Sequence, residues 1–479
     1  MSVCFLVLLA CSNAGMRDSS GAPASKDPAK ISAEGYEFYR AGAYEHALDR
    51  WHDAAKMYKE TGDSFKQSDT LMALGQGYLA LGYSSKAAQN LELAMALTKP
   101  SEDPARVGRI SGALGQVYLQ MGQFESADQN FGEALRTARD RGDNGQVALI
   151  LNSVGNLRVA QGQDVKALES YRASAELALA AQMAEVAGTA WLNVGRTEQR
   201  LGHAAEARQA IEQALLLIRQ WPPSHDKAGS LTAMALIEVA LADSRMPSDR
   251  EAGQQAAVRL LEDATAVAQL IDDSRSASYA YGFLGQVYEQ QRRYEDALRM
   301  TRLAVTAAQR THAPESLYRW QWQTGRLMKQ RGDLDEAIKA YRRAAATLQS
   351  IRPELRAEGK DRQLVFREAG GQVFFQLADV LLEKAKSLDD PKAVQGHLSD
   401  ARNAIELFKA AELRDYFKDN CVDALVSRIT SLEQVSQRAA VLYPIILPDR
   451  TELLLSFSDV IMRYTVPVTA EVMTAEIRA

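Results

Sequence analysis

Histidine and cysteine are scarce in this chain, six of one and three of the other in 479 residues. His46, His52, His203, His225, His312 and His397 stand apart, with no His-x3-His or Cys-x2-Cys spacing, so neither a metal site nor any other cofactor is expected. His46 and His52 share a helical stretch but are too far apart in phase to face the same way. Each histidine is expected at the solvated surface. Cys421 reads as a small apolar packing residue rather than a nucleophile. A surplus of charge is also lacking: 56 Lys and Arg against 61 Asp and Glu leave a net −5. With no basic block and no aromatic–basic interleaving, the electrostatic footprint of a nucleic-acid binder is missing. Gly75-Gln76-Gly77 and Gly370-Gly371 have neither the preceding strand nor the following Lys-Ser/Thr of a phosphate loop. The paired carboxylates Asp389-Asp390 sit beside a proline and read as solvent-exposed. No residue is a catalytic candidate. Aromatics make up only 7% of a chain that is 46% hydrophobic, a balance suited to helices packed through alanine.

What the chain has instead is a glycine that returns. Gly35, Gly75, Gly115, Gly155 and Gly195 are 40 apart, Ala235 takes the next place, and Gly285 and Gly325 follow after ten extra residues at 244–253. Around Gly115 stand Tyr118, Gly122, Phe124, Ala127, Phe131 and Ala134, at +3, +7, +9, +12, +16 and +19, and the other copies repeat these offsets. The glycine and the small +12 residue allow two helices to cross closely. The +7 glycine ends the first helix, and +12, +16 and +19 form the buried face of the second. Repeats four and five depart at +3, with Arg158 and Glu198 where a bulky residue is expected. Ala87, Ala127, Ala167 and Ala207 are expected to be buried against the glycine of their own repeat. A period of this length, eight times over, makes a solenoid in which each unit packs on its neighbours.

The pattern resembles the tetratricopeptide repeat over about residues 31–351, with each helix roughly 4.5 Å longer than in the usual 34-residue unit. The resemblance implies an all-α, right-handed solenoid of about eight 40-residue helix pairs. After Ile351, Arg352-Pro353 is expected to stop a helix. Amphipathic stretches at 364–386 and 393–417 then read as a degenerate ninth pair that caps the array. Three strand-like runs, at 441–447, 452–457 and 462–468, read as a short C-terminal β-meander followed by one helix. Three strands can hardly bury a core alone, so this tail is expected to be an unfinished sheet and the least stable part of the chain.

A second resemblance concerns that tail. The run Ala404 to Val422, through Phe417 and Cys421, is similar to the linker before a CHAT domain, and Ala440 to Val468 is similar to the first hairpin of that caspase-like peptidase module. The resemblance implies that the family's catalytic His-Gly and later cysteine segment would lie beyond residue 479, so neither is carried over to any residue here. At the other end, Leu8-Leu9-Ala10-Cys11 closes an apolar run too short to span a bilayer. It resembles the bacterial lipobox, which implies acylation at Cys11, although no Lys or Arg precedes the run. The division expected is therefore a signal and tether at 1–27, a solenoid at 28–351, capping helices at 352–435 and an incomplete CHAT-like segment at 436–479.

The residue after each organising glycine faces the concave groove in the tetratricopeptide family. Here that row is Tyr36, Gln76, Gln116, Asn156, Arg196, Leu236, Gln286 and Arg326. Amides along a groove can pair with the backbone of an extended segment while remaining indifferent to its side chains. Gripping a terminal carboxylate in the family's manner is not expected, because Gly229 and Ala233 follow Asn152, Asn156 and Asn193 where positive charge would be needed. The function expected is a protein-interaction scaffold, not an enzyme. Its partner would be a protein or peptide, with no nucleic acid, and the membrane would be met only through a lipid at Cys11 in the bacterial envelope or periplasm. The alternatives are a cytoplasmic location, and a role as regulatory and substrate-docking arm of a CHAT peptidase.

Overall fold

The computed structural model describes residues 27–98, 103–243, 247–357, 371–417, 440–457 and 460–478. The lipobox cysteine Cys11, the tether and Cys421 lie outside them. Helices come in antiparallel pairs: α1 (Pro28–Arg40) with α2 (Tyr44–Thr61), α3 (Ser64–Ala80) with α4 (Ser84–Ala96), α5 (Pro104–Gln120) with α6 (Phe124–Asp140), and α7 (Asn144–Ala160) with α8 (Asp164–Ala180). The series continues with α9 (Ala184–Leu201) and α10 (Ala204–Ile218), α11 (His225–Asp243) and α12 (Pro247–Leu270), α13 (Ser274–Gln290) and α14 (Tyr294–Arg310), and α15 (Pro314–Gln330) and α16 (Leu334–Ala357). A ninth pair, α17 (Gly371–Lys386) and α18 (Pro391–Phe417), closes the array.

Local chemistry explains these boundaries. Twelve residues before the glycine, Asp63, Asp103, Asp143 and Asp273 accept the N3 backbone N–H at 2.9–3.0 Å and so cap their helices. At +7, Gly42, Gly82, Gly122, Gly162, Gly202 and Gly332 take positive φ and end the first helix. Repeat seven has Arg292 there, held at φ 60°.

The organising glycine works differently from the sequence reading. The alanines at +12 are fully buried, but the space the glycine leaves is filled by the large residue at +16. A Cβ on Gly115 would lie 2.6 Å from the Phe131 ring, and Trp51, Leu91, Tyr171, Ile211 and Tyr341 crowd Gly35, Gly75, Gly155, Gly195 and Gly325 in the same way. The glycine is thus a hole for one large knob, and the alanine one turn earlier lets the two backbones close on it. In repeats four and five, polar contacts replace the bulky +3 residue. Glu198 is buried between Arg172 at 2.5 Å and His203 at 2.8 Å, and Arg158 pairs with Asp128 at 2.8 Å.

One boundary differs from expectation. Helix α16 does not stop at Arg352-Pro353 but runs to Ala357. A proline removes one backbone donor, and so near a helix end that loss falls in the final turn. The ten extra residues of repeat six are mostly helical, extending α12 to 24 residues.

The tail is β1 (Val441–Ile446), β2 (Thr451–Phe457), β3 (Val460–Val466) and α19 (Ala470–Arg478), the strands forming an antiparallel sheet in the order β1-β2-β3. Its inner face is covered, which the sequence did not lead one to expect. Tyr443, Ile445, Leu454 and Ile461 point inward into one core with Leu377 and Leu381 of α17 and Leu398 and Ile405 of α18. The ninth pair therefore supplies the partner surface that three strands cannot make for themselves. The Gln395 side chain accepts from Ile461 N at 2.8 Å and donates to its carbonyl at 3.1 Å, pairing the edge of β3 at that point. Beneath the sheet Glu452 is fully buried, bonded by Arg450 at 2.7 Å, Arg463 at 2.5 Å and Thr465 at 2.8 Å. Arg450 also reaches Asp379 of α17 at 2.6 Å. Burial alone would raise the Glu452 carboxyl, but the bonds from Arg463, Arg450 and Thr465 prevail and lower its pKa to about 2. The outer face, with Leu442, Met462 and Tyr464, is exposed.

Along its length the array winds far enough to meet itself. The turn after α1 touches the starts of α11 and α13. Tyr44 stacks edge-on against His225, with ring centroids 5.5 Å apart, and a Cβ on Gly42 would be 2.8 Å from the His225 ring and 3.2 Å from Asp273. His225 is therefore not the solvated residue expected. It bonds the buried Asp273 carboxylate at 2.7 Å and the Ser276 hydroxyl at 3.0 Å.

Candidate binding groove

On each first helix the positions six and two before the glycine and one after it lie on one face, spaced i, i+4 and i+7. In repeats four to six these are Leu149, Ser153 and Asn156, then Thr189, Asn193 and Arg196, then Gly229, Ala233 and Leu236. This face forms the concave wall. In repeats four to six all of these residues but Ser153 and Leu236 line a cavity of about 950 Å³, with Asn152 and Trp221 added and Glu37, Arg40 and Ala41 of the first repeat closing the opposite side. The small residues are what open it: a Cβ on Gly229 would meet nothing within 4 Å.

Hydrogen bonds orient the amides. Tyr171 donates to Asn156 Oδ1 at 2.7 Å. Burial raises the Tyr171 pKa far above the ordinary value, so its hydroxyl stays a donor. The Asn156 amino group is thereby left as a donor with no partner among the described residues. Asn193 donates to Asn152 Oδ1 at 3.0 Å, leaving the Asn152 amino group and the Asn193 oxygen open to the cavity. Arg196 faces the same space without a carboxylate partner among the described residues, and desolvation lowers its pKa. Glu185 and Asp226 also line the cavity. Donors, acceptors and both signs of charge thus face one open concavity.

Of the row read from the sequence, Asn156 and Arg196 meet in this cavity, Gln286 and Arg326 in a second of about 560 Å³, and Tyr36 and Gln76 in a third of about 430 Å³. Gln116 lines none of the three and bonds Ser153 at 3.1 Å. Leu236 is partly exposed. Asn193, Gly229 and Ala233 entered the sequence reading only to exclude a carboxylate grip; the residues missed are Leu149 and Thr189 at −6, which the same helical spacing could have supplied, and the closing wall from repeat one, which no local pattern announces. Among the described residues no group of His, Cys, Asp and Glu is placed to hold a metal ion, and no helix is long and apolar enough to cross a membrane.

No curated protein matches the sequence. Among solved structures the chain is similar to a signal-transduction ATPase with a tetratricopeptide repeat sensor from Pyrococcus horikoshii (15% identity, 67% of this chain and 47% of that one, TM-score 0.47). It is also similar to a Rap protein complexed with competence and sporulation factor (12%, 80% and 99%, TM-score 0.43). A third is the human IFIT1 dimer with m7Gppp-AAAA (13%, 80% and 90%, TM-score 0.42). Family models for the tetratricopeptide repeat match residues 106–180 and 277–350, and a further one residues 188–220. The paired helices within residues 106–180, 188–220 and 277–350 are thus matched as tetratricopeptide repeats, and the other pairs repeat their helix-pair architecture.

Proposed function

We propose that the chain is a protein-interaction scaffold that takes an extended polypeptide segment into its concave groove, centred on the cavity of repeats four to six. The observation that carries this reading is the set of free amide groups on Asn152, Asn156 and Asn193 facing a cavity opened by Gly229 and Ala233. An extended backbone offers alternating N–H and C=O groups to such amides. Net charge argues for a polypeptide over nucleic acid, since −5 supplies no counterion-release gain. Selection from a random dodecapeptide library tests it. Gly229→Phe fills the cavity without touching the core, and should weaken selected peptides by about tenfold or more with no loss of melting temperature. Undiminished binding by this variant would refute the reading.

We propose further that Cys11 is acylated and holds the scaffold at the bacterial envelope, on the strength of Leu8-Leu9-Ala10-Cys11. With a complete signal the protein should partition into membranes and Cys11→Ala should release it; equal solubility of the two would favour a cytoplasmic scaffold. A second reading, the docking arm of a CHAT peptidase, is favoured by the exposed apolar outer face of the sheet at Leu442, Met462 and Tyr464. An in-frame His-Gly and later cysteine downstream of codon 479 would establish it; a stop there would remove it.

A further inference from the structure

The second cavity of the groove lies between the first helices of repeats seven and eight and α17. Its walls include Phe283 and Trp322 and three ionisable side chains, Glu289, Arg319 and Arg326. Among the described residues, the two nearby carboxylates, Glu289 and Glu315, are engaged elsewhere. Glu289 accepts two bonds from Arg326, each 2.9 Å, and Arg326 in turn lies over the Trp322 ring, 4.9 Å from its centroid. Glu315, the natural i−4 partner of Arg319 on the same helix, is taken by Arg275 of the preceding repeat at 2.8 Å. Among the described residues Arg319 is left with only an aromatic contact, to Tyr318 at 5.7 Å, and its Nε is buried with no acceptor. Beside it Gln376 accepts through Oε1 from Trp322 at 2.8 Å and from Tyr341 at 3.1 Å, so its amino group remains a free donor.

We propose that this cavity is a specificity subsite of the same groove, receiving an acidic side chain of the bound segment, with Arg319 as its ionic partner and the Gln376 amide as a second donor. This rests on the groove reading above and adds a sequence preference to it. Among the described lining residues the surplus charge is a single positive one, since Arg326 and Glu289 cancel, which matches a carboxylate rather than a doubly charged phosphate. A guanidinium offers a carboxylate two parallel donors, and the partly dry walls strengthen the pair beyond its worth at an open surface. The amides of repeats four to six hold backbone without regard to sequence, so an ionic subsite three repeats further along would set which segment is held and in what register.

The test uses the full chain and a phage-displayed random dodecapeptide library. Peptides enriched on the wild type should share an Asp or Glu at one position. They should bind Arg319→Gln about tenfold more weakly, and selection on that variant should lose the acidic preference. Arg319→Glu should select Lys or Arg at the same position, a reversal that mere unfolding cannot produce. Peptides that bind in a Gly229→Phe-sensitive way with no acidic preference, or with one that survives Arg319→Gln, would overturn this proposal and leave the groove reading standing. Enrichment of no peptide would overturn both.

Discussion

At the scale of single residues, the chain is a series of holes and knobs. Each organising glycine but Gly285, which meets Gln323 and Thr301, is placed under one large side chain sixteen positions on, and the fit leaves no room for a methyl group. Gly115→Leu should therefore overpack against Phe131 and destabilise the protein by about 1–3 kcal/mol. Adding Phe131→Ala should recover part of that loss, because the two sites share one space. Urea unfolding of the single and double variants measures this, and an unchanged midpoint for Gly115→Leu would mean the register is wrong. The glycine was legible in the sequence because it returns at a fixed period. Its partner was harder to assign, because Trp51, Leu91, Phe131, Tyr171, Ile211 and Tyr341 share size but no chemistry, and only three-dimensional packing shows that they do one job.

At the scale of elements, the strands were legible within a residue or two, but their support was not. Alternation along β1 and β2 marks an inner face, yet nothing local shows that α17 and α18 cover it. Nor could the run Arg450-Thr451-Glu452 announce a buried ion network, since Asp379 lies far away in sequence. That network gives the docking of the sheet a pH dependence. Glu452 has a carboxyl pKa near 4.5 when free and about 2 in the fold. Its contribution is therefore fully present above pH 4.5 and is lost as the pH falls toward 2. Protection factors of the β2 amides, corrected for intrinsic exchange, should fall across that window, and Glu452→Gln should lose the glutamate's part of this dependence while weakening the sheet at neutral pH. Protection in β2 that stays constant from pH 5 to 2 would contradict the assignment. The same packing means that removing residues 440–479 should expose Leu377, Leu381 and Ile405, so the tail supports the last pair instead of burdening it.

At the scale of the whole molecule, the groove read from sequence as an open row is walled on its far side by the first repeat. The reason it was illegible is geometric: closure depends on small rotations summed over five repeats. Tyr44→Ala combined with His225→Ala should release the contact and widen the array, seen as a larger radius of gyration by small-angle scattering, with helix content unchanged. An identical radius would show that the contact does not hold the shape. Closure also changes how the molecule comes apart. In an open array the stability is a sum of neighbouring units, and the terminal repeat frays first, independently of distant ones. Here Tyr44 and His225 are roughly 180 positions apart, so joining them carries the entropy of closing a long loop and belongs to a late stage of folding. Once made, it ties the fraying of the first repeat to that of the sixth and seventh, so these segments should open as one cooperative unit.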